Sequence, residues 1–137
     1  MLVLREINES EIYLITGLLK DENIVNNITN NDIIYVMYDN ERIIGAAKAT
    51  IVKDYGIFDY LLIIKDQRGS NLGDGLLRAL LNKLNSIGIK QIFYSSENNY
   101  LLKKGFEYSI DSNLKLQIHI PTFLNRSCKS CGDLNDL

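Results

Sequence analysis

The sequence predicts an α/β (α+β) fold: a mixed, mostly antiparallel sheet flanked by helices on both faces. Three observations lead there. Apolar residues switch repeatedly between strand-like and helix-like spacing, which gives the order β-α-(α)-β-β-β-α-β-α-β-β. Short polar turns separate the apolar runs between Asp32 and Lys65, so these strands read as hairpins. Finally, the run from Phe58 to Ile64 leads into a glycine-rich turn. Beyond it Leu72, Leu76, Leu80 and Leu84 recur every fourth residue, beside Leu77, Leu81 and Ile87. That spacing is one face of a helix. A strand, a helix and the next strand, Ile89 to Ser95, make a crossover and add a parallel pair to the sheet.

The elements follow in order. Leu2 to Ile7 is a strand, and Asn8 or Ser10 caps a helix whose inner face is Ile12, Leu14, Ile15, Leu18 and Leu19. Asp21 to Asn31 is polar and reads as a short helix or a loop. Asp32 to Tyr38 and Ile43 to Val52 are strands around the turn Asp39-Asn40-Glu41-Arg42. Lys53-Asp54-Tyr55-Gly56 turns the chain into the strand Ile57 to Lys65. The long helix stops at Gly88. Glu97 to Lys104 is a short helix closed by Gly105, and Phe106 to Ile110 and Leu114 to Ile120 are the last strands, ended by Pro121.

The bounds are equally plain. A chain of 137 residues, 46% hydrophobic, supports one domain with a real core, spanning 1–121, followed by a polar tail over 122–137. A net charge of −2 with both signs scattered gives no electrostatic case for nucleic acid or an anionic membrane. Arg5 and Glu6 arrive too early for a signal peptide, and no apolar run reaches the length of a membrane span. The expectation is a cytoplasmic protein.

Gln67-Arg68-Gly69-Ser70-Asn71-Leu72-Gly73-Asp74-Gly75 carries the chemistry. Glycine serves where backbone takes positive φ or approaches a ligand closely, and asparagine tolerates the same left-handed region. A tight turn opening a helix aims several unpaired N–H groups one way, at the positive end of the helix dipole, and suits a phosphate or pyrophosphate. The P-loop pattern fails, because no Gly-Lys-Ser/Thr is present. The dinucleotide fingerprint fails because the order is Gly69-x-x-x-Gly73-x-Gly75.

Arg68-Gly69-Ser70-Asn71-Leu72-Gly73 closely resembles the acyl-CoA loop of the GNAT superfamily of N-acetyltransferases, usually Arg/Gln-x-x-Gly-x-Gly/Ala, with Asn71 in place of the first glycine. Asp74-Gly75-Leu76-Leu77 is similar to the family's helix start, Lys104-Gly105-Phe106 to its Gly-Phe, and the element order matches to about Pro121. The resemblance implies the GNAT-like acyl-CoA N-acyltransferase fold. It implies acetyl-CoA as donor, with Leu61, Leu62 and Ile63 offering backbone groups to the pantetheine arm. Backbone N–H groups from Gly69, Ser70, Asn71, Leu72, Gly73 and Asp74 would hold the pyrophosphate, and Arg68 belongs to the same cofactor-binding loop. One N–H of the strand would stabilise an oxyanion. Asn98 is a further candidate for a polar contact to the arm; as a plain helix start it would do nothing of the kind. Without the loop, Leu61 to Ile63 would read as an ordinary core strand.

The implied reaction is direct attack of an amine on a thioester. An alkylammonium of pKa ~10.4 must lose a proton first, at a cost of roughly 4–5 kcal/mol at neutral pH. Many members of the family place a proton-donating tyrosine four residues before the Gly of Gly-Phe. Here that position is Leu101, and Tyr100 lies one residue earlier, about 100° round the helix. Tyr100 is either the acid or a packing residue. Asp59 alternates onto the side of Leu61 and Ile63, where a carboxylate in an apolar run asks for a reason. It is a base, a clamp for the substrate amine, or an exposed strand end. Tyr60 faces the other way and reads as packing. His119, the single histidine, lies on a polar strand face and reads as solvated.

Cys128-Lys-Ser-Cys131 supplies two metal ligands where zinc takes four. His119 would add a third, and a homodimer two more cysteines. Reduced thiols in a polar tail, with no metal site, are the plainer reading. Taken together, the sequence points to an N-acetyltransferase that moves an acetyl group from acetyl-CoA to a primary amine of a small molecule, an amino acid among the options. Two other readings stand: a non-catalytic acyl-CoA-binding or regulatory module that lost its acid at Leu101, and a zinc-bridged interaction protein.

Overall fold

Each hairpin begins where a residue can take the left-handed region. Asn40, at φ 58°, turns β2 (Asp32–Asp39) into β3 (Arg42–Val52), and Lys53, at φ 57°, turns β3 into β4 (Tyr55–Ile63). β1 (Leu2–Glu6) pairs antiparallel with β2, Leu2 opposite Asp39 and Glu6 opposite Tyr35. β2 pairs antiparallel with β3, with a bulge between Met37 and Tyr38. The computed structural model describes residues 1–24, 28–69, 71–111 and 113–125.

The remaining elements are α1 (Ile12–Asp21), α2 (Leu72–Ser86), β5 (Gln91–Tyr94), α3 (Asn99–Lys104), β6 (Glu107–Tyr108) and β7 (Leu116–His119). Among the described residues the sheet is seven-stranded and mixed, in the order β1-β2-β3-β4-β5-β7-β6. β4 and β5 pair in parallel; β5–β7 and β6–β7 are antiparallel. This is the predicted element order and fold class.

Packing divides the chain into two compact units: Met1–Thr50 with Asp59–Leu80, and Ile51–Phe58 with the chain from Leu81. In the first, Ile15 and Leu19 of α1 are fully buried against Ile34, Val36, Ala46, Tyr60 and Leu62. Gly45 of β3 points the other way. A Cβ there would lie 2.6 Å from Ile63 Cδ1 and 3.0 Å from both the Leu62 carbonyl and Leu76 Cδ1. Neighbouring residues of a strand face opposite sides. So α1 and the first part of α2 cover opposite faces of β3, and the glycine lets α2 come close.

In the second unit, Leu81 and Leu84 of α2 are fully buried, and the helix closes at Gly88, φ 94°, with Ile89 N–H donating to the Leu84 carbonyl. α3 repeats this closure at Gly105, φ 113°, where Phe106 N–H reaches the Leu101 carbonyl. Ile87, expected on the buried face of α2, is instead 45% exposed, because the helix has already ended at Ser86.

Between Asp21 and Asn31 the described residues take the loop alternative, with no helix. Two expectations shift. β6 and β7 are shorter than predicted, because Asp111 accepts from the Asn113 and Leu114 N–H groups and draws the backbone into a turn. Residues 120–125 are helical, with Phe123 buried, where Pro121 had read as the end of the last strand before a polar tail. Proline stops a strand and equally suits the first turn of a helix.

Candidate functional site

β4 delivers the glycine turn. Its ladder with β5 consists of Gly56↔Ile92 and Ile57↔Phe93, while β4 itself runs on to Ile63. A strand that outlasts its ladder can offer backbone groups to an extended ligand. Leu62 and Ile63 are buried and Leu61 half-buried, so their side chains belong to the packing of the unit. The Ile63 carbonyl is already taken: Arg68 Nε donates to it at 2.6 Å.

After one turn of 3₁₀ helix, Lys65–Gln67, the chain enters the loop. Gly69 takes φ 93° and Asn71 φ 61°, so both residues chosen for left-handed tolerance use it. A Cβ on Gly69 would meet nothing within 4 Å, so its side of the turn is open. Leu72 and Gly73 begin α2, where backbone N–H groups have no helical carbonyl within reach. The Asp74 N–H closes onto the Asn71 carbonyl at 3.2 Å, which takes Asp74 from the set of free donors. Arg68 turns its side chain back into the fold, pairing with Glu22 at 2.7 Å as well as with Ile63. Ser70 lies outside the described residues.

Asp59 belongs to a charged cluster in the same unit. Lys48 of β3 is only 5% exposed. Its ammonium lies 3.3 Å from Asp32 and 3.7 Å from Asp59. Thr50 Oγ1 lies 2.8 Å from Asp32 and 2.6 Å from Asp59. The Asp59 side chain is 30% exposed, at the open edge of the cluster, and its partial burial pushes the carboxyl above its ordinary value, against the pull of Thr50 and Lys48. Burial works the same way on Asp32, but hydrogen bonds from Thr29 and Thr50 and the Lys48 charge outweigh it and hold Asp32 low. Lys48, Asp32 and Thr50 escaped the sequence reading. The lysine inside the apolar run Ile43 to Val52 was the available signal, since a charge there needs a partner.

In the second unit, Asn98 is the N-cap of α3, its side chain accepting from the Leu101 N–H at 3.0 Å. That gives the carboxamide oxygen a structural task. Tyr100 is half-buried, with the Lys104 ammonium 5.5 Å from its ring centre. Leu101, at the position where the acid was expected, is 1% exposed. Tyr60 packs in the first unit, as alternation predicts. His119 is exposed, its Nδ1 2.7 Å from Thr122 Oγ1, at a groove of about 470 Å³ that Gln91, Glu107 and Gln117 also line. Cys128 and Cys131 lie outside the described residues. Among the described residues, no group of three or more His, Cys, Asp or Glu side chains could hold a metal.

Comparison with known proteins gives a consistent answer. Solved structures of the same fold include a mutant spermidine/spermine N-acetyltransferase from Vibrio cholerae, 17% identical, covering 92% of this chain and 98% of that one, with a TM-score of 0.71. They include N-acetylglutamate synthase from Neisseria gonorrhoeae complexed with coenzyme A and N-acetyl-glutamate, 16% identical, with a TM-score of 0.71; the match covers 88% of this chain and 35% of that longer one. The ribosomal-protein-S18-alanine N-acetyltransferase from Escherichia coli is 14% identical, covering 86% and 90%, with a TM-score of 0.66. No curated protein matches by sequence. The model of the acetyltransferase (GNAT) family matches residues 4–104, which include β4, the glycine turn and α2, and the chain belongs to that family.

Proposed function

We propose that this protein transfers an acetyl group from acetyl-CoA to a primary amine of a small molecule, within a complex holding both substrates. The observation that carries the reading is the β4–turn–α2 passage, with Gly69 and Asn71 in the left-handed region and the helix start opening directly from the turn. The family uses acyl-CoA, and one solved neighbour is complexed with coenzyme A. The turn fits such a donor: the open side of Gly69 and the helix start directly after it suit a pyrophosphate.

When bound, acetyl-CoA supplies an activated acyl group. The chain's own residues do the rest. Backbone N–H groups of Gly69, Asn71, Leu72 and Gly73 bind and orient the donor, with Leu61 and Leu62 offering backbone groups to its arm. Ser70 and Asp74 contribute to the same loop, Arg68 braces it through Ile63 and Glu22, and Asn98 adds a polar contact through the amide nitrogen that capping leaves free. Asp59 takes a proton from the acceptor ammonium, a role its burial-raised carboxyl suits. Tyr100 carries the proton-donor role.

The acceptor is a small amine, in keeping with neighbours named for spermidine and for glutamate. The test is free-thiol release from acetyl-CoA with a panel of amino acids, diamines and polyamines. Amine-dependent release supports the reading; CoA binding with no turnover on any amine overturns it. That second outcome would favour a non-catalytic acyl-CoA-binding module, the reading that the apolar, buried Leu101 supports.

A further inference from the structure

The Lys48 cluster holds one contact that ordinary charge states do not explain. Thr50 Oγ1 sits within hydrogen-bond distance of two carboxylates at once: Asp32 Oδ1 at 2.8 Å and Asp59 Oδ2 at 2.6 Å. A threonine hydroxyl carries one hydrogen. It can donate to one carboxylate, and toward the other it presents only lone pairs. With both aspartates ionised, one of these short contacts sets acceptor against acceptor. A second proton between the three oxygens removes the conflict.

The surroundings say where that proton sits. Asp32 has a side chain only 2% exposed and is richly supplied with donors: the Thr29 N–H at 2.7 Å, the Thr29 hydroxyl at 3.1 Å and the Lys48 ammonium at 3.3 Å. Asp59 has Thr50 and, at a longer 3.7 Å, Lys48. Asp32, closed off from water, is therefore the anion better supplied with protein donors, and Asp59, its side chain 30% exposed and short of protein donors, is the place where the proton can sit. We propose that Asp59 and Asp32 hold one proton between them through Thr50: the Asp59 carboxyl donates to Thr50 Oγ1, and the Thr50 hydroxyl donates to Asp32. Lys48 of β3 neutralises the remaining negative charge. Burial acts in the same direction, raising Asp59, while its donors hold Asp32 low. The other titratable group beside them is Tyr60 of β4. Its buried hydroxyl has no hydrogen-bond partner among the described residues, and burial first, then both aspartates, keep it protonated.

Resting on the acetyl-transfer reading, this makes Thr50, Asp32 and Lys48 positioning residues for the base. Above its midpoint the shared proton leaves Asp59 to solvent, and the ionised carboxylate then takes a proton from the acceptor ammonium: an N–H bond breaks, an O–H bond forms on Asp59, and the nitrogen keeps the electron pair. The proton then rests in the hydrogen bond to Thr50. Raising the proton affinity of Asp59 makes it a stronger base than an isolated surface carboxylate.

The test is a carbon-detected NMR titration of the aspartate carboxyl groups in the full chain without substrate. In the wild type, the Asp59 carboxyl is expected to titrate above the ordinary carboxylate value, and the Asp32 signal to move at the same midpoint, as coupled sites do. Thr50→Ser keeps this behaviour. Thr50→Val removes the shared response; should that variant not fold, Asp32→Asn frees the Thr50 hydroxyl to donate to Asp59 and is expected to lower the Asp59 midpoint toward the ordinary value, a midpoint left raised overturning the proposal. An Asp59 midpoint at or below the ordinary value in the wild type overturns the proposal, as does a shared response that Thr50→Val leaves intact. Because no substrate is present, failure of turnover would sink the acetyl-transfer reading without touching the shared proton.

Discussion

At the scale of single residues, two carboxylates are tuned in opposite directions. Arg5 holds Glu11 with two bonds of 2.6 Å, and the Tyr38 hydroxyl adds a third of 2.5 Å. The Arg5 hydrogen bonds first, then that of Tyr38, pull the Glu11 carboxyl from 4.5 to about 2. A carboxyl whose folded value is depressed stabilises the fold fully above its unfolded value and loses that contribution as pH falls through the folded one. Melting temperature should therefore fall between about pH 4.5 and pH 2. Glu11→Gln should lower it by a few degrees at neutral pH, about 1–2 kcal/mol, and flatten that acid limb. Asp59 moves the other way. Asp59→Asn should cut kcat/KM by about 10²–10⁴-fold with the circular dichroism spectrum unchanged, and the acid limb of the wild-type rate profile should sit above the ordinary carboxylate range. These tunings were only half legible. Asp59 stood out because it interrupts an apolar strand. Its partners did not, because residues 32, 48 and 59 meet only across strands, and sequence carries no register between them. Asn98 was legible as a helix start, yet only the hydrogen bond to Leu101 shows that its side-chain oxygen is committed to the cap.

At the scale of elements, a glycine decides how closely a helix approaches the sheet. Gly45→Ala places a methyl against the Leu62 backbone, which cannot swing away as a side chain does; the expected cost is about 1–3 kcal/mol, read by urea denaturation. Gly73 is different. It lies in the first turn of α2, where valine is compatible with the helix, so Gly73→Val should keep the melting temperature and lose coenzyme A affinity. Unchanged affinity would make the turn purely structural. Periodicity revealed α2 well, since Leu76, Leu77, Leu80, Leu81 and Leu84 are all at most 1% exposed, as their spacing requires. It overran β6 and β7, where the Asp111 side chain competes for the backbone. It also missed the helix over 120–125, because proline gives the same stop signal whether a strand ends or a helix begins.

At the scale of the whole molecule, the seven-stranded mixed sheet and the family model over residues 4–104 place the chain among the GNAT acetyltransferases. No helix of the described residues is long and apolar enough to cross a membrane. Element order, the glycine turn and Gly105-Phe106 were enough to see this in the sequence, because each is a local signal. The acceptor was not legible: backbone grips the donor in this reading, whereas side chains must choose the amine. The central claim, that the turn between β4 and α2 holds acetyl-CoA, is tested most directly by a thermal melt with and without that ligand. At about 100 times its dissociation constant a ligand adds roughly 2.7 kcal/mol, and a rise of several degrees is the predicted result. A melting temperature unmoved by excess acetyl-CoA would contradict the account.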